Sequence, residues 1–144
     1  MPDSLDVIGA VDAAIYTRLT GHAGLHTYVA DRVYNSVAPE SVTGDLVVFQ
    51  CIPQSDEYAW PNQRFPVLRY EIRGIVKGDA GPKIQAASLI AEQIDNAMHD
   101  AALTPAGYDL LSCLRLVPLY YPEVRGDIVY THRGGIYQVT LQKQ

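Results

Sequence analysis

The chain has 144 residues, of which 48% are hydrophobic and 19% charged, and this composition is typical of a globular domain with a buried core. The formal net charge of -5 and the pI of about 5.2 argue against free-standing nucleic-acid binding, which needs a basic face to neutralise phosphates. No apolar run approaches the roughly 20 residues of a membrane-spanning helix, and the N-terminal segment lacks the pattern of a secretory signal. The length predicts a single domain over residues 1–144.

The first predicted element is a helix from about Ser4 to Leu19. Its apolar side chains recur at steps of three and four, which places them on one face; they are Leu5, Ile8, Val11, Ile15 and Leu19. Gly21 follows at the position where a helix C-terminus favours a left-handed residue. A short helical turn over 23–29 and an extended stretch over 32–37 are expected next.

An apolar run over Leu46–Ile52 predicts a strand covered on both faces. The loop that follows, Pro53–Pro66, is long for a compact domain, and loops of this length tend to be functional or mobile. It carries Trp60 between Tyr58 and Phe65, and aromatic side chains exposed in this way often anchor interfaces. We therefore expect loop 53–66 to protrude and to contact a partner.

The clearest strand is predicted over Val67–Val76, because its side chains alternate in character. The apolar side chains share one face, which we expect to lie against the helices: Leu68, Tyr70, Ile72 and Val76. Arg69, Glu71 and Arg73 share the other face. Two interpretations of this charged face stay open: a solvent-exposed face with cross-strand ion pairs, or a surface that meets a neighbouring subunit or lines a pore.

A second helix is predicted over Pro82–Ala102, and its proline suits the first helical position, where the missing N–H costs nothing. Two strands follow, over Leu110–Tyr121 and Asp127–Leu141. Pro118 cannot donate a ladder hydrogen bond and so marks an edge position or a bulge, and Gly134–Gly135 predicts a bulge or a tight bend. This order of elements predicts an α+β fold: an antiparallel or mixed sheet of about four to five strands, with two main helices packed on one face.

No catalytic or cofactor-binding motif stands out, so we expect neither enzymatic activity nor a cofactor. His22 and His26 have a spacing that suits metal ligation on a helix. A glycine lies between them and no third ligand is near, so solvated loop histidines are favoured over a metal site. The glycines of residues 74–81 match no phosphate-binding spacing and predict a strand-to-helix turn. Cys51 and Cys113 are expected to be reduced, buried thiols, with one disulfide as the alternative.

Polar residues of the last two strands form a further candidate site. Arg115, Asp127, His132 and Arg133 come together if the strands pair suitably, but without a nucleophile a solvated sheet face is the favoured interpretation. We interpret the tripeptide Arg125–Asp127 as a turn rather than as an adhesion motif.

Four stretches, which together cover most of the chain, have the layout of a known family. They are AIYTRLTGHAGLHTYVADRVYNSVAPE, LVVFQCI, VLRYEIRGIVKGDAGPKIQAASLIAEQIDNAMHDA and DIVYTHRGGIYQVTLQ. In this layout the chain resembles the tail terminator (tail completion) proteins of long-tailed bacteriophages and of related gene transfer particles. The likeness is one of residue type and order, without a short motif, and it brings no catalytic residue with it.

The resemblance implies a non-enzymatic virion protein at the junction of tail and neck, made in the cytoplasm of a bacterial host. Such proteins form a ring, typically of six, on the last ring of tail-tube protein. They end tube growth and present a surface to the head connector, and DNA passes through the hole without sequence-specific binding. The implied partners are therefore further copies of the chain, tail-tube protein and the head–tail connector, and not a metal or a membrane.

The residues expected at a subunit or partner interface are Tyr58, Trp60, Phe65, Arg69, Glu71 and Arg73. Substituting Glu for Arg69 and Arg73 is then expected to disturb ring closure or docking and to leave the monomer folded. Two other functions stay open. One is a head-completion or connector-adaptor protein of the neck. The other is a small bacterial ligand-binding or enzyme subunit, which requires a concave pocket with convergent polar groups near His132 and Arg133.

Overall fold

The computed structural model describes residues 4–52 and 65–144, with side chains from Val7 onward. In chain order the elements are α1 (Ser4–Thr20), α2 (Ala23–Val29), β1 (Val33–Asn35), β2 (Leu46–Cys51), β3 (Val67–Lys77), α3 (Gly81–Met98), β4 (Tyr108–Arg125) and β5 (Ile128–Lys143). Most of the predicted loop 53–66, including Tyr58 and Trp60, lies outside the described residues.

The five strands form one mixed sheet in the order β1-β2-β3-β5-β4. β1 runs parallel to β2, whereas every other neighbouring pair is antiparallel. The predicted α+β fold with a mixed sheet is therefore confirmed. The two main helices are α1 and α3, and the short α2 is the helical turn expected over 23–29.

The alternation in β3 sets which face of the sheet meets the helices. Leu68, Tyr70 and Ile72 are at most 2% exposed, and they share one hydrophobic core with Ile15 of α1 and Ile94 of α3. Burying this face removes apolar side chains from water, at about 1.5–3 kcal/mol for each large one. The predicted apolar face of β3 is confirmed, and the charged face therefore points away from the helices.

The glycines between β3 and α3 serve the fold. Gly78 has a φ of 115°, which suits glycine and permits the turn that ends β3. A Cβ added at Gly74 would collide with the side chain of Ile90, so glycine at this position lets α3 lie close to the sheet. The predicted strand-to-helix turn is confirmed.

The third helix is shorter than predicted. It ends at Met98 rather than near Ala102, because His99 leaves the helical region with a ψ of 124° and Asp100 adopts a left-handed φ of 57°. The backbone N–H of His99 still bonds to the carbonyl of Asp95, at 2.9 Å, and this bond closes the last turn.

β4 and β5 form a long hairpin. Arg125 pairs with Ile128, so the turn has two residues, and Gly126 takes the positive φ of 61° that such turns require. The interpretation of this tripeptide as a turn is confirmed. Because β5 lies between β3 and β4, β4 is an edge strand along its whole length.

Both irregularities of the hairpin lie in β4. The register shifts fall between Leu110 and Ser112 and between Arg115 and Val117. Pro118 directly follows the second shift, on the edge strand, as its missing N–H predicts.

Of the bulge or tight bend predicted at Gly134–Gly135, the bulge is wrong. The pairing of β5 with β3 runs without a shift through both glycines. The physical reason for glycine is a close approach of two backbones, because a Cβ at Gly134 would collide with the carbonyl oxygen of Ile72.

Candidate interaction surfaces

The charged face of β3 is not uniformly solvent-exposed. Arg69 is exposed, whereas the side chains of Glu71 and Arg73 are only 22% and 14% exposed. Arg73 donates from Nη1 to Oε1 of Glu71 at 2.9 Å and from Nε to Nδ1 of His132 at 3.1 Å. One arginine therefore joins β3 to β5 on the face away from the helices.

His132 is the most enclosed member of this group, at 2% exposure. Because its Nδ1 accepts from Arg73, its ring proton lies on Nε2, which donates to Oε1 of Glu123 at 3.0 Å. The ring of Tyr121 stacks on the imidazole, with centroids 4.6 Å apart. We call these residues the polar cluster: Glu71, Arg73, Tyr121, Glu123 and His132.

Burial, reinforced by the charge of Arg73, lowers the pKa of His132 below its ordinary value of 6.5. As the pH falls, His132 therefore binds a proton more readily in the unfolded chain than in the folded chain. We expect the free energy of unfolding to be unaffected by His132 at pH values well above 6.5 and to fall as the pH drops through and below 6.5. Glu123 acts only at lower pH, because its hydrogen bonds to His132 and Arg125 hold its pKa below 4.5.

The measurement is urea unfolding at a series of pH values for the wild-type chain and for His132→Gln. The variant should show a flatter profile below pH 6.5. His22, whose pKa burial also lowers, has the same sign, so His22→Gln provides a separate comparison. An equally steep loss of stability in His132→Gln would contradict the assignment.

The polar cluster borders a cavity of about 340 Å³ that residues 36–42 partly enclose. Both ring nitrogens of His132 are engaged by protein groups, which leaves no free nitrogen to act as a base toward a ligand in the cavity. Arg133 lies on the opposite face of the sheet, where Nη1 donates to the hydroxyl of Ser88 on α3. The candidate site of four polar residues on the last two strands is therefore not assembled. The favoured interpretation, solvated residues, fits Arg115 and Asp127, which are exposed, but is wrong for His132, which is buried.

The edge strand β4 carries the largest group of exposed apolar side chains in the part of the chain that the structure describes. Its members are Leu111, Leu114, Leu116, Val117, Tyr120 and Val124, which are 40–67% exposed. We call this surface the apolar edge. A long, apolar edge strand is a surface that natural proteins cover or pair, and large apolar patches mark interaction sites.

A groove of about 510 Å³ lies between α3 and β4, and Tyr120 is the one residue of the apolar edge that lines it. On its floor, the guanidinium carbon of Arg133 lies 4.2 Å from the centroid of the Tyr120 ring, a favourable cation–π contact. Arg115 pairs with Asp95, at 3.6 Å from Nε to Oδ1. We call this feature the arginine groove, and it is lined by Ser88, Ala91, Glu92, Asp95, Arg115, Pro118, Leu119, Tyr120, Arg133 and Gly134.

Four of the six predicted interface residues lie in the described part of the chain, and these four differ in exposure. Tyr58 and Trp60 lie outside the described residues, Phe65 is exposed beside that segment, and Arg69 is exposed on β3. Glu71 and Arg73 belong to the polar cluster. The apolar edge was missed by the sequence interpretation, although the apolar character of β4 at successive positions, rather than at alternating ones, was its signal.

The histidine and cysteine predictions have mixed outcomes. His22 lies in the two-residue connection between α1 and α2, as predicted, where its Nδ1 accepts from the N–H of Leu25 at 3.2 Å and caps α2. His26 instead lies within α2. The described residues contain no group of three or more His, Cys, Asp or Glu side chains arranged to hold a metal ion. Both cysteines are unpaired; Cys113 is buried and Cys51 half-buried. Among the described helices, none has the length and hydrophobicity needed to cross a membrane.

Comparison with known proteins identifies the fold. No protein-family model matches the sequence, and no curated protein matches it. A chain from the "Virion of native gene transfer agent (GTA) particle" is similar in structure, with a TM-score of 0.68 and 21% identity over 94% of this chain and 97% of that chain. A second solved structure has a TM-score of 0.63 and 15% identity over 94% of this chain and 96% of that chain. The chain therefore shares its fold, over nearly its whole length, with a component of a gene transfer agent particle.

Proposed function

We propose that this chain is a structural protein of a phage-like particle. It forms a ring of six subunits at the end of the tail tube, where it ends tube growth and joins the tail to the head connector. The observation that carries the proposal is the shared fold with a gene transfer agent virion chain over 94% of this sequence. Because fold alone does not assign function, the proposal also needs a surface suited to assembly.

The apolar edge is such a surface. Its exposed side chains lie along an open strand edge, which favours pairing with another chain. A ring requires a heterologous interface, in which one surface of a subunit meets a different surface of the next. The acidic chain, with a net charge of -5, suits a channel through which DNA slides without adhering, because phosphates repel acidic groups.

The test is negative-stain electron microscopy of the concentrated protein, alone and with the tail-tube protein of the same particle. We expect rings with a central hole, free or on tube ends. Rings that bind tube protein support the tail role, whereas binding to portal-side proteins alone would support a neck adaptor instead. A chain that stays monomeric in both conditions would contradict the proposal.

A single substitution on the apolar edge should separate folding from assembly. Val117 is 46% exposed, so Val117→Lys is expected to leave the free energy of unfolding within about 0.5 kcal/mol of wild type. A lysine there puts a charge into the buried interface and should abolish ring formation, as measured by sedimentation velocity and electron microscopy. The matched control is Val37→Lys, at a residue 78% exposed and outside the apolar edge. Equal ring yields for the two variants would exclude the apolar edge from the interface.

A further inference from the structure

The arginine groove lacks an acidic partner for one of its two arginines. Arg115 has the carboxylate of Asp95, and Glu92 is exposed at the rim. Arg133 has only the Ser88 hydroxyl and the Tyr120 ring as partners, and within the described residues no carboxylate oxygen lies within 4.0 Å of its guanidinium.

The Nε of Arg133 is also buried and has no hydrogen-bond partner in residues 4–52 and 65–144. An enclosed donor without a partner is unfavourable, and more so when the group is charged. A guanidinium is suited to bidentate pairing with a carboxylate. Arg133 is therefore the arginine of the groove that has no carboxylate partner among the described residues.

The chain itself contains a segment with the complementary chemistry. Residues 53–64 read PQSDEYAWPNQR, in which the adjacent acids Asp56 and Glu57 precede Tyr58 and Trp60. The acids match Arg133, and the aromatic side chains match the apolar edge beside the groove. Trp60 is the one tryptophan of the sequence.

The proposed ring assigns the segment to a neighbouring copy, because a ring joins one surface of a subunit to a different surface of the next. Docking on the groove of the same chain is the other arrangement, and the disulfide experiment below distinguishes the two.

We propose that residues 53–64 of a second copy dock in the arginine groove. A carboxylate of Asp56 or Glu57 pairs with Arg133, and Tyr58 and Trp60 pack on the apolar edge. This proposal rests on the proposed ring and names the contact that closes it. The contact joins a segment of one copy to a different surface of the next, so it is heterologous, as ring closure requires.

The first experiment is a charge exchange, measured as subunit association by sedimentation velocity. Arg133→Glu alone, and Asp56→Arg with Glu57→Arg, should each weaken association about 30-fold or more. Combining the three substitutions should restore association. The control for net charge is Glu40→Arg with Asp79→Arg, at exposed residues away from the groove. Thermal unfolding of each variant separates an assembly defect from misfolding, and the loop variant keeps the test valid if Arg133→Glu fails to fold.

The second experiment is disulfide trapping between two differently tagged copies, one with Glu57→Cys and one with Tyr120→Cys. Burial raises the pKa of the native Cys51 thiol to about 11 and that of Cys113 to about 12, so both react slowly at neutral pH. We expect a cross-linked dimer, and none when Val37→Cys replaces Tyr120→Cys.

The outcomes distinguish the two proposals. Rings that form normally in the charge-reversed variants, or the absence of a cross-linked dimer between the two tagged copies, overturn the docking contact and leave the proposed ring intact. A wild-type chain that stays monomeric at high concentration and with tube protein overturns both.

Discussion

Replacing Gly134 with alanine is expected to lower the free energy of unfolding by about 3 kcal/mol. The added Cβ would collide with the carbonyl oxygen of Ile72 and lie 2.6 Å from the Cα of Arg73. Both of these atoms belong to the backbone of β3, which is paired on both sides. Neither β3 nor β5 can move aside without lengthening ladder hydrogen bonds, so the collision cannot be relieved by a side-chain rotation.

The matched control for this substitution is Gly9→Ala. Gly9 lies inside α1 and a Cβ there would meet nothing within 4 Å, so alanine should stabilise the chain by about 0.5–1 kcal/mol through helix propensity. Urea unfolding of the two variants measures both effects. If Gly134→Ala lost less than about 1 kcal/mol, the close approach of β3 and β5 would be wrong.

Gly134 also shows which part of the backbone geometry could be predicted from the sequence. The pair Gly134–Gly135 signals special backbone geometry, but a bulge and a close approach of two strands have the same sequence signal. Only the pairing of Gly134 with Arg73 distinguishes them. By contrast, the alternation in β3 is a local pattern with a period of two, and it predicted the buried face correctly.

The polar cluster illustrates a different limit. The alternation of Arg69, Glu71 and Arg73 predicted that they share a face, but not that Arg73 would be enclosed. Enclosure depends on Tyr121 and His132, which meet across a hairpin whose register is displaced by two bulges in β4. Bulges of this kind have no firm sequence signal, so the partner of His132 could not be identified from the sequence.

The apolar edge could not be predicted from the sequence, because its exposure depends on the order of the strands in the sheet. The apolar run in β4 predicted a strand, and a central position and an edge position are both compatible with such a run. The observed order places β5, rather than β4, beside β3. Pro118 was the one residue whose missing N–H indicated an edge position or a bulge. It lies on the edge strand β4, directly after a bulge.

Arg73→Glu is expected to lower the free energy of unfolding by about 3–5 kcal/mol, contrary to the sequence-based expectation that the monomer stays folded. The side chain of Arg73 is 14% exposed and is the only described cation that bonds to Glu71. A glutamate at this position would face Glu71 and would remove the donor to the Nδ1 of His132. Three carboxylates, those of residues 71, 73 and 123, would then lie close together in a partly buried site.

The control is Arg69→Glu, on the same face of the same strand. Arg69 is exposed, and its bond to Gln138 is long, at 3.4 Å, so its substitution should change the free energy of unfolding by less than about 0.5 kcal/mol. Urea unfolding at pH 7.5 compares the two variants. The loss in Arg73→Glu should shrink in acid, because protonation of the surrounding carboxyl groups removes their mutual repulsion. Equal stability of the two variants would show that Arg73 is a surface residue. If Arg69→Glu instead impaired assembly without lowering stability, Arg69 would belong to the subunit interface.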